Sequence, residues 1–186
     1  GMSQAFHDLY RNHLIPNRWK TEIRPILINN WEATYFDFNE EQLLSIADEA
    51  KALGIELFVL DDGWFGSRNN DTTSLGDWLV DRKKLPRGLS YLGNEVRSRG
   101  LKFGLWFEPE MVSPISNLYE EHPDWAINTP GEEPTLSRNQ LVLDFTKDEV
   151  VEHIYEQMAQ IIRDAKLSYI KWDMNRCMSE VYSHTA

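Results

Sequence analysis

From residue 25 onward, short apolar runs alternate with longer stretches in which apolar residues recur every three or four positions. The run PILINNW (25–31) predicts a buried strand. NEEQLLSIADEAKALG predicts a helix capped by Asn39, with Leu43, Ile46, Ala47, Ala50 and Leu53 on one face and Gly54 at its end. IELFVLDDGW predicts the next strand, and Gly66 to Arg87 reads as a long polar loop. A helix over about 89–99 stops at Gly100, and LKFGLWF (101–107) predicts a third strand. After an irregular excursion, Thr146 and Glu149 predict a capping box for a helix with Val150, Ile154, Met158, Ile161 and Ile162 on its apolar side. LSYIKWD closes the series as a fourth strand.

Strands that are apolar almost throughout, alternating with helices, imply a parallel sheet covered by helices, an α/β fold. A doubly wound sheet that bound a nucleotide would carry a glycine-rich turn after its first strand, and NNWEATYF is not glycine-rich. A TIM-type (β/α)8 barrel instead sets its chemistry on the loops after each strand. The strand ends here read Asn29-Asn30-Trp31-Glu32, Asp61-Asp62-Gly63-Trp64, Trp106-Phe107-Glu108-Pro109-Glu110 and Lys171-Trp172-Asp173. Each joins a tryptophan to a carboxylate. A single tryptophan is usually core and a single acid usually a cap, but the same pairing at four strand ends suggests a sugar site: indole faces stack on pyranose C–H faces and carboxylates accept from hydroxyls.

Glycosidic hydrolysis by acids uses two carboxyl groups. Asp173 is the candidate for the attacking group, because it ends an apolar strand and Lys171, two residues earlier on the same face, places a cation beside it. The alternative for that pair is a surface salt bridge.

Composition narrows the classes. With 186 residues and 41% hydrophobic content the chain is long enough for one domain. A net charge of −11, with Arg82-Lys83-Lys84 as the longest basic group, argues against a nucleic-acid partner. No segment resembles a secretory signal or a membrane span, so no membrane partner and a cytoplasmic location are expected; the single cysteine, Cys177, forms no internal disulfide. Gly1 ahead of Met2 reads as a tag remnant, and Asn70-Asp71-Thr72 is a formal sequon of little weight. No cofactor or metal is expected: Asp61-Asp62 offers two oxygen ligands, but His7, His13, His122, His153 and His184 are dispersed. Cys177 follows Asp173 closely, yet no local histidine supports it as a nucleophile.

NNWEATYFDF, LDDGWFG, GLWFEPEMVSP, SRNQLVLDFT and KWDMNR, in that order, resemble the catalytic barrel of the family 36 glycoside hydrolases, the bacterial α-galactosidases. The resemblance implies retaining hydrolysis of terminal α-galactosides, with Asp173 as the nucleophile. Asp61 and Asp62 match the acidic pair that holds galactose hydroxyls. Trp31, Trp106, Arg138, Lys171 and Asn175 match positions lining the same pocket, Arg138 and Asn175 by resemblance alone. It also implies that the acid/base aspartate follows a later strand, and that residues 1–24 are a lead-in to residues 25–186, the first half of the barrel with about four βα units. Neither Glu108 nor Glu110 is expected to replace that aspartate. On this reading turnover is impaired, and open sheet edges favour self-association or pairing with a complementing barrel half. The alternatives are a galactose-binding module without turnover, which would tolerate Asp173→Asn, and a structural half-barrel.

Overall fold

The computed structural model describes residues 1–183; His184 lies outside them. The chain opens with helix α1 (Met2–Leu9), a π-helical turn (Tyr10–Leu14) and α2 (Asn17–Thr21), none of whose residues is buried. Strand β1 (Leu27–Asn29) is followed by the short α3 (Trp31–Thr34), then α4 (Glu40–Ala52), β2 (Leu57–Leu60), α5 (Gly88–Ser98) and β3 (Lys102–Phe107). Next come β4 (Met111–Val112), α6 (Asn117–Glu121), β5 (Leu141–Val142), α7 (Asp148–Ala165) and β6 (Tyr169–Trp172).

β1, β2, β3 and β6 form one sheet in that order, every pair parallel. The four strands and three long helices expected from periodicity are therefore present. The strands are shorter than their apolar runs, because Trp31 already begins α3 and the Asp61-Asp62 segment leaves the ladder. β2 is buried throughout, whereas β1 and β6, with a neighbour on one side only, are partly exposed.

Asn39 caps α4 as expected, and Gln42 answers it: each side chain accepts from the other's backbone N–H, at 3.0 and 2.9 Å. Leu43, Ala47 and Ala50 are buried on the core face, but Leu53 is 80% exposed. The helix stops at Ala52, so Leu53 turns away before Gly54 takes a positive φ of 82°. The capping box expected at α7 does not form. Thr146 instead donates from both N–H and hydroxyl to Asp144 Oδ1 (3.1 and 2.6 Å), and Lys147 occupies the cap position.

The loop from Gly66 to Arg87 is less polar in space than in sequence. Leu75, Trp78 and Leu85 are buried, and Trp78 joins Trp64, Phe65 and Phe107 in an aromatic cluster with centroid spacings of 4.5–6.0 Å. The excursion after β3 contains order that no period signals: β4 pairs antiparallel with β5.

Strand alternation divides the sheet. Phe58, Leu60, Phe103, Leu105 and Phe107 join the core beneath the helices, with Ile28 and Ile170 packed against it. The opposite face carries Asn29, Val59, Gly104 and Tyr169 in one register row. A Cβ on Gly104 would lie 3.0 Å from both Val59 Cγ2 and Tyr169 Cβ, so glycine lets side chains from the two flanking strands close over β3. Gly93 serves α5 in the same way, since a Cβ there would stand 2.8 Å from the Ala165 carbonyl oxygen at the end of α7.

Candidate active site

Continuing the register one step beyond that row aligns Asp61, Trp106 and Lys171, and another step aligns Glu108 with Asp173. All five sit at or beyond the C-terminal ends of their strands, on that face, around an open cavity of about 220 Å3. Trp31, Asp62, Arg138 and Asn175 line the same cavity, so the eight residues that the family resemblance placed in one pocket converge, whereas Glu32, Trp64, Glu110 and Trp172 do not line it.

Asp173 stands where β6 ends, its N–H held by the Phe107 carbonyl at 2.8 Å. Its Oδ2 accepts from Trp106 Nε1 (3.0 Å) and Asn175 Nδ2 (3.1 Å), and its Oδ1 from the Met174 N–H (3.1 Å). Burial alone would raise its pKa. These three donors, with Lys171 at longer range, outweigh burial and hold the carboxyl below the usual carboxylate range. Asp173 is thus kept ionised, the form in which a carboxylate attacks carbon.

Lys171 shares the face of Asp173, as alternation requires, but does not pair with it. Its Nζ lies 2.9 Å from Asp61 Oδ2, across the sheet rather than along the strand. Asp61 stands in the same register row two strands away, so the alternative of a direct Lys171–Asp173 ion pair is corrected, while Lys171 still favours the ionised Asp173 as a cation at longer range. The Asp61 N–H is fixed by Asn30 Oδ1 at 2.8 Å, which ties the end of β1 to the end of β2.

Asp62 points to a different partner. Arg68, only 1% exposed, grips it with Nε at 3.1 and 3.2 Å from the two oxygens and Nη2 at 3.0 Å from Oδ2. Arg68 Nη1 donates to the Thr73 carbonyl at 2.7 Å, and its guanidinium lies 5.7 Å from the Phe36 ring centroid. Burial raises the pKa of Asp62 despite the arginine, whose fork is what makes an ionised carboxylate tolerable there.

The tryptophans divide by role. Trp31 borders the cavity half-buried, edge-on to Phe36 at 5.0 Å. Trp106 is 2% exposed and stacks near Phe65, so it presents its N–H to Asp173 rather than a free face to a sugar. Trp64 is fully buried and donates to the Trp106 carbonyl at 2.9 Å. Trp172 points to the other side of β6, where its Nε1 meets Glu110 Oε1 at 2.7 Å. Of four strand-end tryptophans, one therefore offers a stacking surface, and the general expectation of indole platforms is corrected.

Arg138 reaches the cavity from the loop before β5, where it and Asn139 hold φ angles of 51° and 57°. Its Nη1 lies 3.5 Å from Asn175 Oδ1. Arg68 and Gln140 escaped the sequence reading, whereas Glu108 lies at the cavity as its strand-end position suggested. Arg68 lies inside the segment taken for a polar loop, and only its burial reveals it. Among the described residues no group of three or more His, Cys, Asp or Glu is arranged to hold a metal. No helix among them is long and apolar enough to cross a membrane.

A family model described as Melibiase matches residues 1–186. The chain is 57% identical over 181 residues to an α-galactosidase of Lactobacillus acidophilus, covering 97% of this chain and 25% of that protein. It is 55% identical over 183 residues to α-galactosidase AgaA of Geobacillus stearothermophilus, again 25% of the relative. The crystal structure of an α-galactosidase from Lactobacillus brevis superposes with a TM-score of 0.94 at 55% identity, over 100% of this chain and 25% of that one. A variant of AgaA in complex with raffinose superposes with a TM-score of 0.94 at 54% identity, over 100% of this chain and 26% of that one. The chain spans about a quarter of the length of the relatives it matches. With the family model matched over its whole length and an α/β fold with a parallel sheet that superposes on these enzymes, the chain belongs to the melibiase family, the family 36 α-galactosidases.

Proposed function

We propose that this chain carries the nucleophile and the galactose-holding side chains of a retaining α-galactosidase. The observation that carries the reading is Asp173: an ionised carboxylate held by Trp106, Asn175 and the Met174 N–H over a cavity walled by Asp61, Asp62, Lys171 and Arg138. An Asp173 oxygen attacks the anomeric carbon of a terminal α-galactoside. The bond to the leaving oxygen breaks with its electron pair, giving a covalent galactosyl-aspartate that water later opens. By the family resemblance, the proton for the leaving oxygen comes from an aspartate after a later strand. Asp61 and Asp62 accept from galactose hydroxyls, Lys171 and Arg138 donate to them, and Trp31 covers a ring face. AgaA variants have been crystallised with raffinose and stachyose, and sugars of that class are the substrates we propose.

In the same reading residues 25–186 form the first half of a TIM-type barrel of about four βα units, and residues 1–24 lead into it. Four parallel strands with the cleft at their C-terminal ends support this. Leu27 and Tyr169, on the outer strands, are 37% and 41% exposed, which supports self-association or pairing with a complementing barrel half; a monomer by sedimentation across micromolar concentrations overturns the self-association. A cytoplasmic location fits the free, exposed Cys177.

Intact-mass spectrometry after incubation with α-galactosyl fluoride tests the chemistry, because fluoride departs without protonation. One hexosyl unit is expected on the parent and none on Asp173→Asn. A folded parent that stays unlabelled removes the catalytic reading and leaves passive galactose binding, which Asp173→Asn would retain.

A further inference from the structure

Glu108 is completely buried, lies one register row beyond Trp106 and belongs to none of the roles above. Its Oε1 accepts the Asn175 backbone N–H at 2.6 Å, a short bond between β3 and the turn that follows β6. Its Oε2 faces Gln140 Nε2 at 3.4 Å, on the segment that leads into β5. Gln140 is itself 1% exposed, and its Oε1 has no partner. Three pieces of chain that are distant in sequence thus meet at one carboxyl group.

The consequence lies one bond further on. Asn175 Nδ2 donates to Asp173 Oδ2 at 3.1 Å, and Asn175 Oδ1 stands 3.5 Å from Arg138 Nη1. An asparagine held only by its own turn could rotate its amide away from both. The Glu108 bond limits where that amide can lie by fixing the backbone from which the side chain departs. We propose that Glu108 is a positioning residue for Asp173, acting through Asn175 to keep the nucleophile and Arg138 in one geometry. The proposal rests on the reading of Asp173 as nucleophile for its catalytic meaning, but not for its structural content. Glu108 itself is 0% exposed and reaches Asp173 through Asn175, so no contact with substrate is invoked.

Burial raises the pKa of Glu108, with the nearby Asp173 charge adding to it and the Asn175 bonds opposing it. A proton on Oε2 would suit the unpartnered Gln140 carbonyl once that amide turned over, leaving Oε1 free to keep Asn175. The bond to Asn175 therefore survives in either protonation state.

The test uses the 186-residue chain and reads geometry apart from turnover. In 15N-resolved NMR of the parent, the Asn175 N–H is expected well downfield and among the slowly exchanging amides. In Glu108→Ala it should move upfield, with loss of protection, and the Asp173 carboxyl should titrate at higher pH as the Asn175 bond loosens. Glu108→Gln keeps a carbonyl for the Asn175 N–H and should stay near the parent. Galactosylation by α-galactosyl fluoride should slow about 10²-fold in Glu108→Ala, with half-saturation little changed, since misplacing a reacting group by an ångström costs about that much. A fast-exchanging Asn175 N–H in the parent overturns the proposal whether or not the alanine variant folds. So does a folded Glu108→Ala with unaltered Asn175 and Asp173 signals. If the parent is never galactosylated while these NMR shifts occur, the catalytic reading fails and the positioning contact stands.

Discussion

Trp64 and Trp106 each lie in a motif where tryptophan accompanies acids at the end of a strand, yet the fold puts them to different uses. Trp64 sits in the aromatic cluster with Phe65, Trp78 and Phe107, and its indole N–H meets a backbone carbonyl. Trp106 sits at the cavity floor, and its N–H meets Asp173. The first arrangement fixes the loop after β2 against β3. The second sets the charge state of a carboxylate. The two indoles are joined through the Trp64 bond to the Trp106 carbonyl, so the core cluster supports the cleft directly. A buried aromatic in a functional motif is therefore read by what its polar edge touches, since burial alone does not separate the two.

The largest expected break falls on the core side. Trp78→Ala should cost about 4 kcal/mol, the usual loss for a large buried aromatic, and lower the urea midpoint sharply. Next comes Arg68→Met, which leaves Asp62 buried without its fork; a loss of about 3 kcal/mol is expected, together with weaker galactose binding by calorimetry. Asp62→Asn made in the Arg68→Met background should recover part of that stability, which a purely steric role for Arg68 would not allow.

Trp106→Phe sharpens the comparison because it keeps an aromatic ring, though a smaller one, and deletes the bond to Asp173. Stability should fall by about 1 kcal/mol, and the Asp173 carboxyl should titrate higher by 13C NMR. Trp64→Phe should cost a similar amount while moving the Asp173 titration much less. Equal movement in both variants would mean that the two regions are not separable.

The smallest effect is a slope. The folded pKa of Asp62 lies above its unfolded value, so the folded chain holds the extra proton and stability falls as pH rises through that interval. Asp173 has the opposite sign: its contribution is full above the unfolded pKa and is lost as pH falls through the lowered folded value. Unfolding free energies from urea titrations should therefore decline as pH rises above the usual carboxylate range more steeply in the parent than in Asp62→Asn, by no more than about 1.4 kcal/mol per pH unit. Identical slopes would place the Asp62 carboxyl at an ordinary pKa.

Much of the fold was legible because β2, β3, α4, α5 and α7 carry period: apolar runs in the buried strands, and three- and four-residue spacing in the helices. The motif residues were legible because strand-end positions are where a parallel sheet opens its loops. Partners were not. Lys171 was expected beside Asp173 and pairs with Asp61, because sequence spacing reports the face of a strand and not the neighbour across it. The loop holding Arg68 and Trp78 looked polar because its few apolar residues follow no period, although Leu75, Trp78 and Leu85 are buried.

The sequence by itself determined the strand and helix order, the parallel sheet, and the set of acids and tryptophans at its C-terminal edge. Those properties follow from local alternation and chain connectivity. Only the tertiary structure decided which acid keeps its charge, which indole serves the core, and which buried arginine and glutamate hold the cleft in place. Each of those depends on burial and on donors from distant segments, as in the 110 residues separating Lys171 from Asp61 and the 67 separating Asn175 from Glu108. Such contacts are fixed by packing, which no local pattern encodes.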